Sequence, residues 1–370
     1  MNLYNIAITL VPGLGPKVIR ELLTIYPTPE AVFSLSRNQL KEVFGRRTAT
    51  IDAIADKTMM KQVEAEAANL EKYNIRCLFF TDDDYPRRLN YAGCEDSPVL
   101  LYQMGTCDLN AHHSVALVGS RKCTDYGRCT TSRLVHEMVG DRPLIVSGLA
   151  YGIDTIAHTS ALDDGLPTAA VLGHGLDTIY PSQNRILAKR ILEQGGALIT
   201  EYPLHTAIKP SFFPARNRII AGMSDAAIVV EAAERGGALI TANIANSYHR
   251  EVFAVPGRLG DDLSEGCNNL IVNNKAIMIR HAGDLFFQMG WKNTFDRQRN
   301  KEQQLSLFAT LSAEQQAIAD LLSKNTELTI DEIAQSSTMP LPKIAAIVVE
   351  LELKNIIRCL PGKKYKLSYN

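Results

Sequence analysis

The chain has 370 residues, more than one hydrophobic core usually organises, so we expect two or three domains. With 46% hydrophobic residues, 21% charged residues and a formal net charge of −1, its composition excludes a disordered tail and a generally polybasic binder. Any contact with nucleic acid therefore has to come from a local basic patch.

The seven cysteines are scattered and include no Cys-x-x-Cys pair, which argues against a metal site and against a disulfide framework. The beginning, MNLYNIAITLVPG, lacks a basic segment followed by a long apolar run. No stretch reaches the ~18 apolar residues of a membrane span. We therefore predict a cytoplasmic protein with reduced thiols, no bound metal and no membrane partner.

Residues 1–75 contain short helical segments separated by Pro and Gly, which predict a small helical domain. Within it, LVPGLGPKVIRELL at 10–23 has the pattern of a helix-hairpin-helix, in which glycine amides and a following lysine can contact a phosphate. A glycine-closed turn between two packed helices explains the same pattern equally well.

Residues 76–290 are predicted to form an extended Rossmann-like domain of the α/β class. From residue 114 onward, short apolar runs alternate with helix-length segments: SVALVGS, PLIVSG, TAAVLG, ALITEY, AAIVVEA, EVFAVPG and AIMIR. Strands that are apolar on both faces and separated by helices predict a doubly wound, mostly parallel sheet that is covered on both sides.

The segment 291–310 is polar and aperiodic, which predicts a linker. Residues 311–370 then contain three helical segments and two short extended pieces, an order typical of a winged helix. The final hairpin is basic and allows a nucleic-acid face, whereas the apolar recognition helix favours a protein-binding winged helix or a solvated turn. The basic residues of the hairpin are Arg358, Lys363, Lys364 and Lys366.

The residues that follow the predicted strands are rich in glycine and polar groups. In an open parallel sheet these loops meet at the carboxyl edge beside helix N-termini, where ligands bind. We therefore predict a binding edge at these positions. They are Gly119-Ser120-Arg121, Ser147-Gly148, Gly173-His174-Gly175, Glu201-Tyr202, Glu231 and Pro256-Gly257.

The sequence lacks the common cofactor motifs of this fold class. No G-x-G-x-x-G follows a strand and no G-x-x-x-x-G-K-[ST] occurs, so we predict no dinucleotide and no P-loop ligand. Asp154 and His158 lie one helical turn apart and allow a catalytic pair, although an Asp near a helix N-terminus is more typical of a cap. Ser147 lacks the G-x-S-x-G pattern of a nucleophile.

The segment KPSFFPARNR at 209–218 combines cations with aromatic rings. We predict a helix that begins near Pro214 and carries Arg216, Asn217 and Arg218 in its first turn. Cations at a helix N-terminus oppose the helix dipole, so two arginines at this position indicate a compensating anion. A phosphate group has the required charge.

Lys209 and Phe212 place one charge beside one aromatic face, which is the repeating requirement of a single-stranded nucleic acid. The alternative is that the phenylalanines belong to the core, with Phe213 the stronger candidate, and that the arginines pair with Glu201 and Glu231. Both interpretations are compatible with one another, because a glutamate can orient an arginine that also binds phosphate.

Eight motifs occur in order across residues 114–288: ALVGSR, SGLAYGIDTIAH, VLGHGLDTIYP, ITEYP, FPARNRIIAGMSD, ERGGALITA, AVPGRLGD and GCNNLI. This ordered set resembles the bacterial DNA-processing protein A family, also called DprA or Smf. The resemblance implies an extended Rossmann fold that binds single-stranded DNA in a basic pocket, forms homodimers and has no known catalysis. It also implies protection of incoming DNA during natural transformation and loading of the RecA recombinase.

The resemblance assigns roles to particular positions of this chain. The strand-binding arginine of the family falls on Arg121, its lysine on Lys209 and its stacking phenylalanine on Phe212. The dimer and RecA-facing surfaces are implied at roughly 260–290. The other residues of the implied DNA site line the pocket or form its floor: Gly119, Ser120, Ser147, Gly148, Arg216, Asn217 and Arg218.

An enzyme is the competing class. ERGGALITA at 234–242 is distantly similar to the P-G-G-x-G-T motif of nucleotide phosphoribohydrolases of the lysine-decarboxylase-like group, and Glu231 would be the acid or base beside a ribose. Arg235 replaces the proline of that motif, its third glycine is missing and no glutamate follows Thr241 at the motif's spacing. A third class is a pure protein adaptor, which the intact 209–218 segment disfavours.

The favoured interpretation is a single-strand binder without catalysis. Phosphates are predicted to lie along Arg121, Lys209, Arg216 and Arg218, and a base is predicted to stack on Phe212. Because the base has to be unstacked, we expect single strands to bind better than duplex.

Overall fold

The computed structural model describes residues 2–91, 93–291, 311–324, 327–337, 339–353, 356–360 and 364–367. The chain divides into two compact units, Met1–Asn293 and Thr294–Asn370. The predicted linker lies outside the described residues except for residue 291, and so does Lys363.

The first unit begins with six short helices whose starts follow from local sequence. Pro occupies the first helical turn of α2 and α3, where its missing N–H costs nothing, and the Ser36 and Gln39 side chains form a capping box on α4. The helices are α1 (Leu3–Thr9), α2 (Pro16–Ile25), α3 (Pro29–Phe33), α4 (Arg37–Phe44), α5 (Thr48–Ala55) and α6 (Met60–Lys72).

A nine-stranded sheet follows in the same unit. Its order is β1-β2-β6-β5-β4-β3-β7-β8-β9; β3 to β9 are parallel, and β1 and β2 extend the sheet antiparallel beside β6. The strands are β1 (Ile75–Phe79), β2 (Leu100–Gly105), β3 (Ser114–Val118), β4 (Leu144–Ser147), β5 (Thr168–Val171), β6 (Ala197–Thr200), β7 (Ala226–Val229), β8 (Glu251–Ala254) and β9 (Ile277–Met278).

The predicted mostly parallel α/β sheet is confirmed. Strands β3 to β7 are buried at every position, because helices cover both faces. The sequence analysis did not single out the antiparallel pair β1 and β2. The covering helices are α7 (Asp125–Glu137), α8 (Ile153–Asp163), α9 (Arg185–Glu193), α10 (Phe212–Gly222), α11 (Gly237–Ser247), α12 (Asp262–Val272) and α13 (Ala282–Gln288).

The N-terminal helices share a hydrophobic core with one end of the sheet. Ile6, Leu40 and Leu70 belong to the same buried cluster as Leu172 and Leu198. The helices therefore stabilise the sheet by apolar burial. The domain boundary at residue 75 stays a prediction.

The second unit has the architecture expected of a winged helix. Within its described residues, a three-stranded antiparallel sheet of order β10-β12-β11 accompanies three helices, and the core includes Ile318, Ile333 and Ile347. The elements are α14 (Ala313–Lys324), β10 (Leu328–Thr329), α15 (Ile330–Ser336), α16 (Leu341–Leu353), β11 (Ile357–Leu360) and β12 (Lys364–Leu367).

Candidate nucleic-acid interface

The sheet reverses its winding direction between β3 and β7. From β3 the chain winds through β4 and β5 to β6, whereas β7, β8 and β9 lie on the other side of β3. Such a switch point opens a crevice at the carboxyl ends of the strands, which is where ligands bind in open α/β sheets. A cavity of about 410 Å³ lies there, lined by the ends of β3 and β7, by α10 and by the start of α11.

The loop after β3 places Arg121 at the rim of this cavity. A Cβ on Gly119 would overlap Ile153, and one on Gly152, which has a φ of +73°, would overlap the Ser120 carbonyl oxygen. Both glycines are therefore required for the close approach of this loop to the start of α8. Arg121 is exposed and lines the cavity, and its side chain has no hydrogen bond or ion pair among the described residues.

Arg216 lies at the floor of the cavity and is only 4% exposed. Its Nη1 donates to the carbonyl oxygens of Gly148 and Val171, and the first of these bonds is 2.7 Å long. Burial lowers the pKa of Arg216 to about 10, and the nearby Asp154 carboxylate opposes that shift. These hydrogen bonds link α10 to the ends of β4 and β5, and the Arg216 side chain also contributes to the cavity lining.

Ser147 and Gly148 support the cavity without bordering it. Ser147 is fully buried, and its hydroxyl donates to the Leu117 carbonyl oxygen at 2.6 Å. A Cβ on Gly148 would overlap the Arg216 guanidinium, so only glycine leaves room for that side chain. The resemblance places these two residues at the glycine-rich floor of the pocket; both are buried, and their role in binding DNA stays a prediction.

Arg218 is committed to an internal ion pair. Its Nη1 and Nη2 donate to Glu201 Oε1 and Oε2 at 2.7 and 2.6 Å, and its Nε donates to the Asp96 carbonyl oxygen at 3.0 Å. Burial opposes the charge, yet the Glu201 carboxylate raises the pKa of Arg218 overall. The predicted pairing with Glu201 is confirmed.

Helix α10 begins two residues earlier than predicted. It starts at Phe212, so Arg216, Asn217 and Arg218 lie beyond its first turn and do not oppose the dipole as we expected. The inference of a compensating anion from that placement is wrong. Asn217 is half-buried and lines the cavity.

Lys209 and Phe212 form a surface cluster outside the lining of the cavity. The Lys209 ammonium lies 5.3 Å from the centroid of the Phe212 ring, a cation–π distance, and Lys209 is exposed. The Tyr202 ring stacks on Phe212 at 4.2 Å and 21°. Sequence reasoning missed this role of Tyr202, although it had placed the residue at the end of β6.

Phe213 is half-buried, lines the cavity and contacts the exposed Tyr180 ring at 5.5 Å. The expectation that it belongs to the core is wrong. The glycine pair Gly236-Gly237 also lines the cavity, a role that its position after the strand AAIVV could have indicated.

The groups proposed for catalysis have structural partners. Glu231 is buried and accepts hydrogen bonds from the Thr124 amide and hydroxyl at the start of α7. Asp154 accepts from the Gly148 and Ala150 amides, so it caps that turn and does not pair with His158. His158 is fully buried against the Thr168 hydroxyl at 2.7 Å, and burial lowers its pKa to about 3.

Two lysines in the described part of the winged-helix unit are paired with carboxylates. Lys343 pairs with Glu314, and Lys364 pairs with Glu327 at 2.5 Å, while Arg358 is exposed. Within the described ranges, no cluster of His, Cys, Asp and Glu is arranged to hold a metal ion, and no helix is long and apolar enough to cross a bilayer.

The fold and the crevice define a class of protein: a Rossmann-type binding protein with an accompanying winged-helix unit. The model of the family DNA recombination-mediator protein A matches residues 76–290, and the DprA winged helix domain matches residues 306–363. The chain therefore belongs to the DNA-processing protein A (DprA/Smf) family, which confirms the resemblance seen in the sequence.

Relatives from several bacteria agree with this assignment. Protein Smf of Escherichia coli K12 is 37% identical over 83% of this chain and 81% of its own. The X-ray structure of DNA processing protein A from Streptococcus pneumoniae covers 77% of this chain and 97% of its own, with 33% identity and a TM-score of 0.65. A Helicobacter pylori structure, titled for the single-stranded DNA binding mode of DNA processing protein A, covers 59% of this chain and 96% of its own, with 28% identity and a TM-score of 0.52.

Proposed function

We propose that this chain binds single-stranded DNA at the carboxyl edge of its sheet, without catalysing a reaction on it. The observation that carries the proposal is the surface cluster of Lys209 and Phe212, where an exposed ammonium lies 5.3 Å from a half-buried ring. The H. pylori relative, whose title names single-stranded DNA, supports the same ligand.

The proposed phosphate contacts come from Arg121 and Lys209. Both side chains are exposed, whereas Arg216 and Arg218 are occupied by internal hydrogen bonds and hold the edge in shape. Three further residues line the switch-point cavity and are proposed to offer polar groups to the DNA strand: Gly119, Ser120 and Asn217. A base that stacks on Phe212 has to leave its duplex partner, so single strands are favoured.

We further propose a cytoplasmic homodimer that protects incoming strands and loads RecA on them. Large apolar side chains are exposed near the far edge of the sheet, in the region implied by the family: Leu259, Val272, Met278 and Phe287. Exposed apolar side chains are buried in protein interfaces when they lie on one contiguous surface, which is the arrangement we propose for these four. Faster RecA filament assembly on coated single strands in the presence of the chain would support loading, and an unchanged rate would contradict it.

The DNA proposal is tested by fluorescence anisotropy of labelled single-stranded and duplex oligonucleotides across a salt series. We expect Lys209→Ala to flatten the dependence of log K on log salt by about 0.7, since one phosphate contact is lost. Phe212→Ala is expected to cost about 1–3 kcal/mol of binding with the slope kept. Lys189→Ala, on the exposed surface of α9, is the matched control.

Equal binding of duplex and single strands, or wild-type behaviour of both variants, would contradict the proposal. In that case, incubation with nucleoside monophosphates and a search for released base would test the phosphoribohydrolase alternative directly.

A further inference from the structure

Two loops of the sheet edge lie between the cations proposed to contact DNA. The sheet order β6-β5-β4-β3 places the loops after β5 and β4 between Lys209, in the segment that follows β6, and Arg121, which follows β3. Three strand spacings separate β6 from β3, a distance of about 14 Å. Because successive phosphates of a stacked strand lie only ~3.4 Å apart along its axis, a strand that reaches both cations has to cross these loops with several nucleotides.

Each of the two loops carries an exposed tyrosine ring. Tyr180, in the loop after β5, is 48% exposed, and Tyr151, in the loop after β4, is 41% exposed. The Tyr180 ring contacts Phe213, the neighbour of Phe212 in α10, with the ring centroids 5.5 Å apart. Tyr180 therefore continues the aromatic surface that begins at Phe212.

Hydrogen bonds hold the two loops to one another. Asn184, at the end of the loop after β5, donates from Nδ2 to the Leu149 carbonyl oxygen at 2.8 Å and to the Thr155 hydroxyl at 2.9 Å. The Tyr151 hydroxyl donates to the side-chain oxygen of Gln183. Because these contacts already fix the loops, a base that stacks on the rings orders few additional groups, which reduces the entropic cost of binding.

Arg185 adds a cation beside the tyrosine loops. It directly follows Asn184 at the start of α9, and its exposed side chain has no hydrogen bond or ion pair within the described part of the chain. The first turn of α9 contains no acidic residue. The one acidic residue of the loop after β5, Asp177, accepts from the His205 amide at 2.8 Å. An unpaired cation beside exposed aromatic faces is the combination that binds single-stranded nucleic acid.

We propose that Tyr180, Tyr151 and Arg185 form a second nucleotide platform for the strand held at Phe212. Bases next to the one on Phe212 stack on the two tyrosine rings, and Arg185 binds a phosphate of the same strand. The inference rests on the proposed function and deepens it, because it gives the path of the strand from Lys209 to Arg121. The platform is an exposed surface outside the lining of the switch-point cavity.

The test compares two labelled strands of equal length by fluorescence anisotropy, a thymidine oligonucleotide and an abasic strand. The abasic strand keeps the phosphates and lacks the bases, so it separates stacking from charge. Tyr180→Ala and Tyr151→Ala each remove one ring, Tyr180→Phe keeps the ring, and Arg185→Ala removes the cation. Tyr73→Ala is the matched control, because Tyr73 is 45% exposed and lies at the end of α6.

We expect Tyr180→Ala and Tyr151→Ala each to weaken binding of the thymidine strand about fivefold or more, and binding of the abasic strand by less than about twofold. Tyr180→Phe keeps wild-type affinity, since its ring remains. Arg185→Ala weakens binding of both strands and flattens the dependence of log K on log salt by about 0.7. Tyr73→Ala binds both strands as wild type does.

Wild-type affinity of Tyr180→Ala and Tyr151→Ala for the thymidine strand, or an equal loss on the abasic strand, overturns the inference. A loss of the same size in Tyr73→Ala also overturns it. These outcomes are separable from failure of the proposed function. Binding that depends on Lys209 and Phe212 but not on the two tyrosines overturns the platform alone, whereas a wild-type chain that binds no single strand overturns both proposals.

Discussion

Single residues decide which cations of the binding edge are free to meet a ligand. Arg218 lies two positions from Arg216, yet each is held by a different set of acceptors, a carboxylate in one case and carbonyl oxygens in the other. Arg121 has neither kind of partner among the described residues. Of these three, the arginine without such a partner, Arg121, therefore lies outside the Arg-Asn-Arg run at 216–218, where the arginines are densest in the sequence.

Gly148→Ala tests the tight packing below the cavity. The added methyl would overlap the Arg216 guanidinium, which then has to give up its hydrogen bond to the Gly148 carbonyl oxygen and shift toward the cavity. We expect the free energy of unfolding to fall by about 1–3 kcal/mol in urea denaturation. In Gly237→Ala the methyl meets open space, so this control should change stability by less than about 1 kcal/mol. Equal stability of the two variants would contradict the packing described.

His158 gives a prediction about acid stability. Burial and the Arg216 charge lower its pKa from 6.5 to about 3, so the unfolded chain binds one more proton between these pH values. Its contribution to stability is therefore present above pH 6.5 and is lost as the pH falls toward 3, with a slope of up to about 1.4 kcal/mol per pH unit.

Urea unfolding at several pH values across this window measures that slope. In His158→Gln the free energy of unfolding should fall less steeply as the pH is lowered, because glutamine does not titrate. This expectation concerns the slope and is independent of the variant's stability at neutral pH. His249→Gln, at an exposed position, is the control. Parallel curves for wild type and His158→Gln would contradict the prediction.

Among the elements, α10 begins at a different residue than the sequence predicted, and this changes the expected position of its arginines. Its start at Phe212 moves the arginines out of the first turn and turns Phe213 toward the cavity. A proline at the third helical position, Pro214, is compatible with this start, because the first N–H groups of a helix have no intrahelical acceptor. The sequence therefore predicted the helix but not the residue at which it begins.

The edge strand β9 leads to a prediction about assembly. It ends the nine-stranded sheet, and Met278 on it and Phe287 on α13 are 46% and 87% exposed. An unprotected edge with apolar side chains favours pairing with another chain. We expect wild type to elute at twice the 40.8 kDa chain mass in size-exclusion chromatography with light scattering.

The double variant Met278→Lys/Phe287→Ser should elute as a monomer, because a charge on the edge and loss of the aromatic ring both oppose pairing. Ile25→Ser, which removes a 70% exposed apolar side chain from α2, should remain dimeric. A monomeric wild type, or a dimeric double variant, would contradict the proposed interface.

For the whole molecule, the division into two units places the proposed DNA-contacting residues in a different unit from the winged helix. Every residue proposed to contact DNA lies in Met1–Asn293, and the core of the second unit consists of residues from 318 to 357. A chain that ends at residue 291 should therefore bind single strands within about twofold of wild type, a change of less than about 0.5 kcal/mol. A loss of tenfold or more in anisotropy would show that the winged helix contributes to DNA binding.

The described part of the winged helix has exposed apolar side chains and paired lysines. The exposed positions of α16 include Leu341 and Val349, and the ammonium groups of Lys343 and Lys364 are paired with carboxylates. Electrostatic attraction to a duplex depends on unpaired cations, so a protein partner suits this unit better. A protein contact of the winged helix stays our prediction.

The sequence by itself determined the fold class and indicated the sheet edge at which we propose a ligand binds, because strand periodicity and the glycines after each strand are local patterns. It also carried the ordered motifs that define the family. Only the tertiary structure decided which side chains remain available there. Arg218 meets Glu201, Arg216 meets Gly148 and Phe212 meets Tyr202 across separations that no local pattern records. A side chain is available to a ligand only if it has no partner inside the protein. Those partners are set by long-range packing, which is a property of the folded chain.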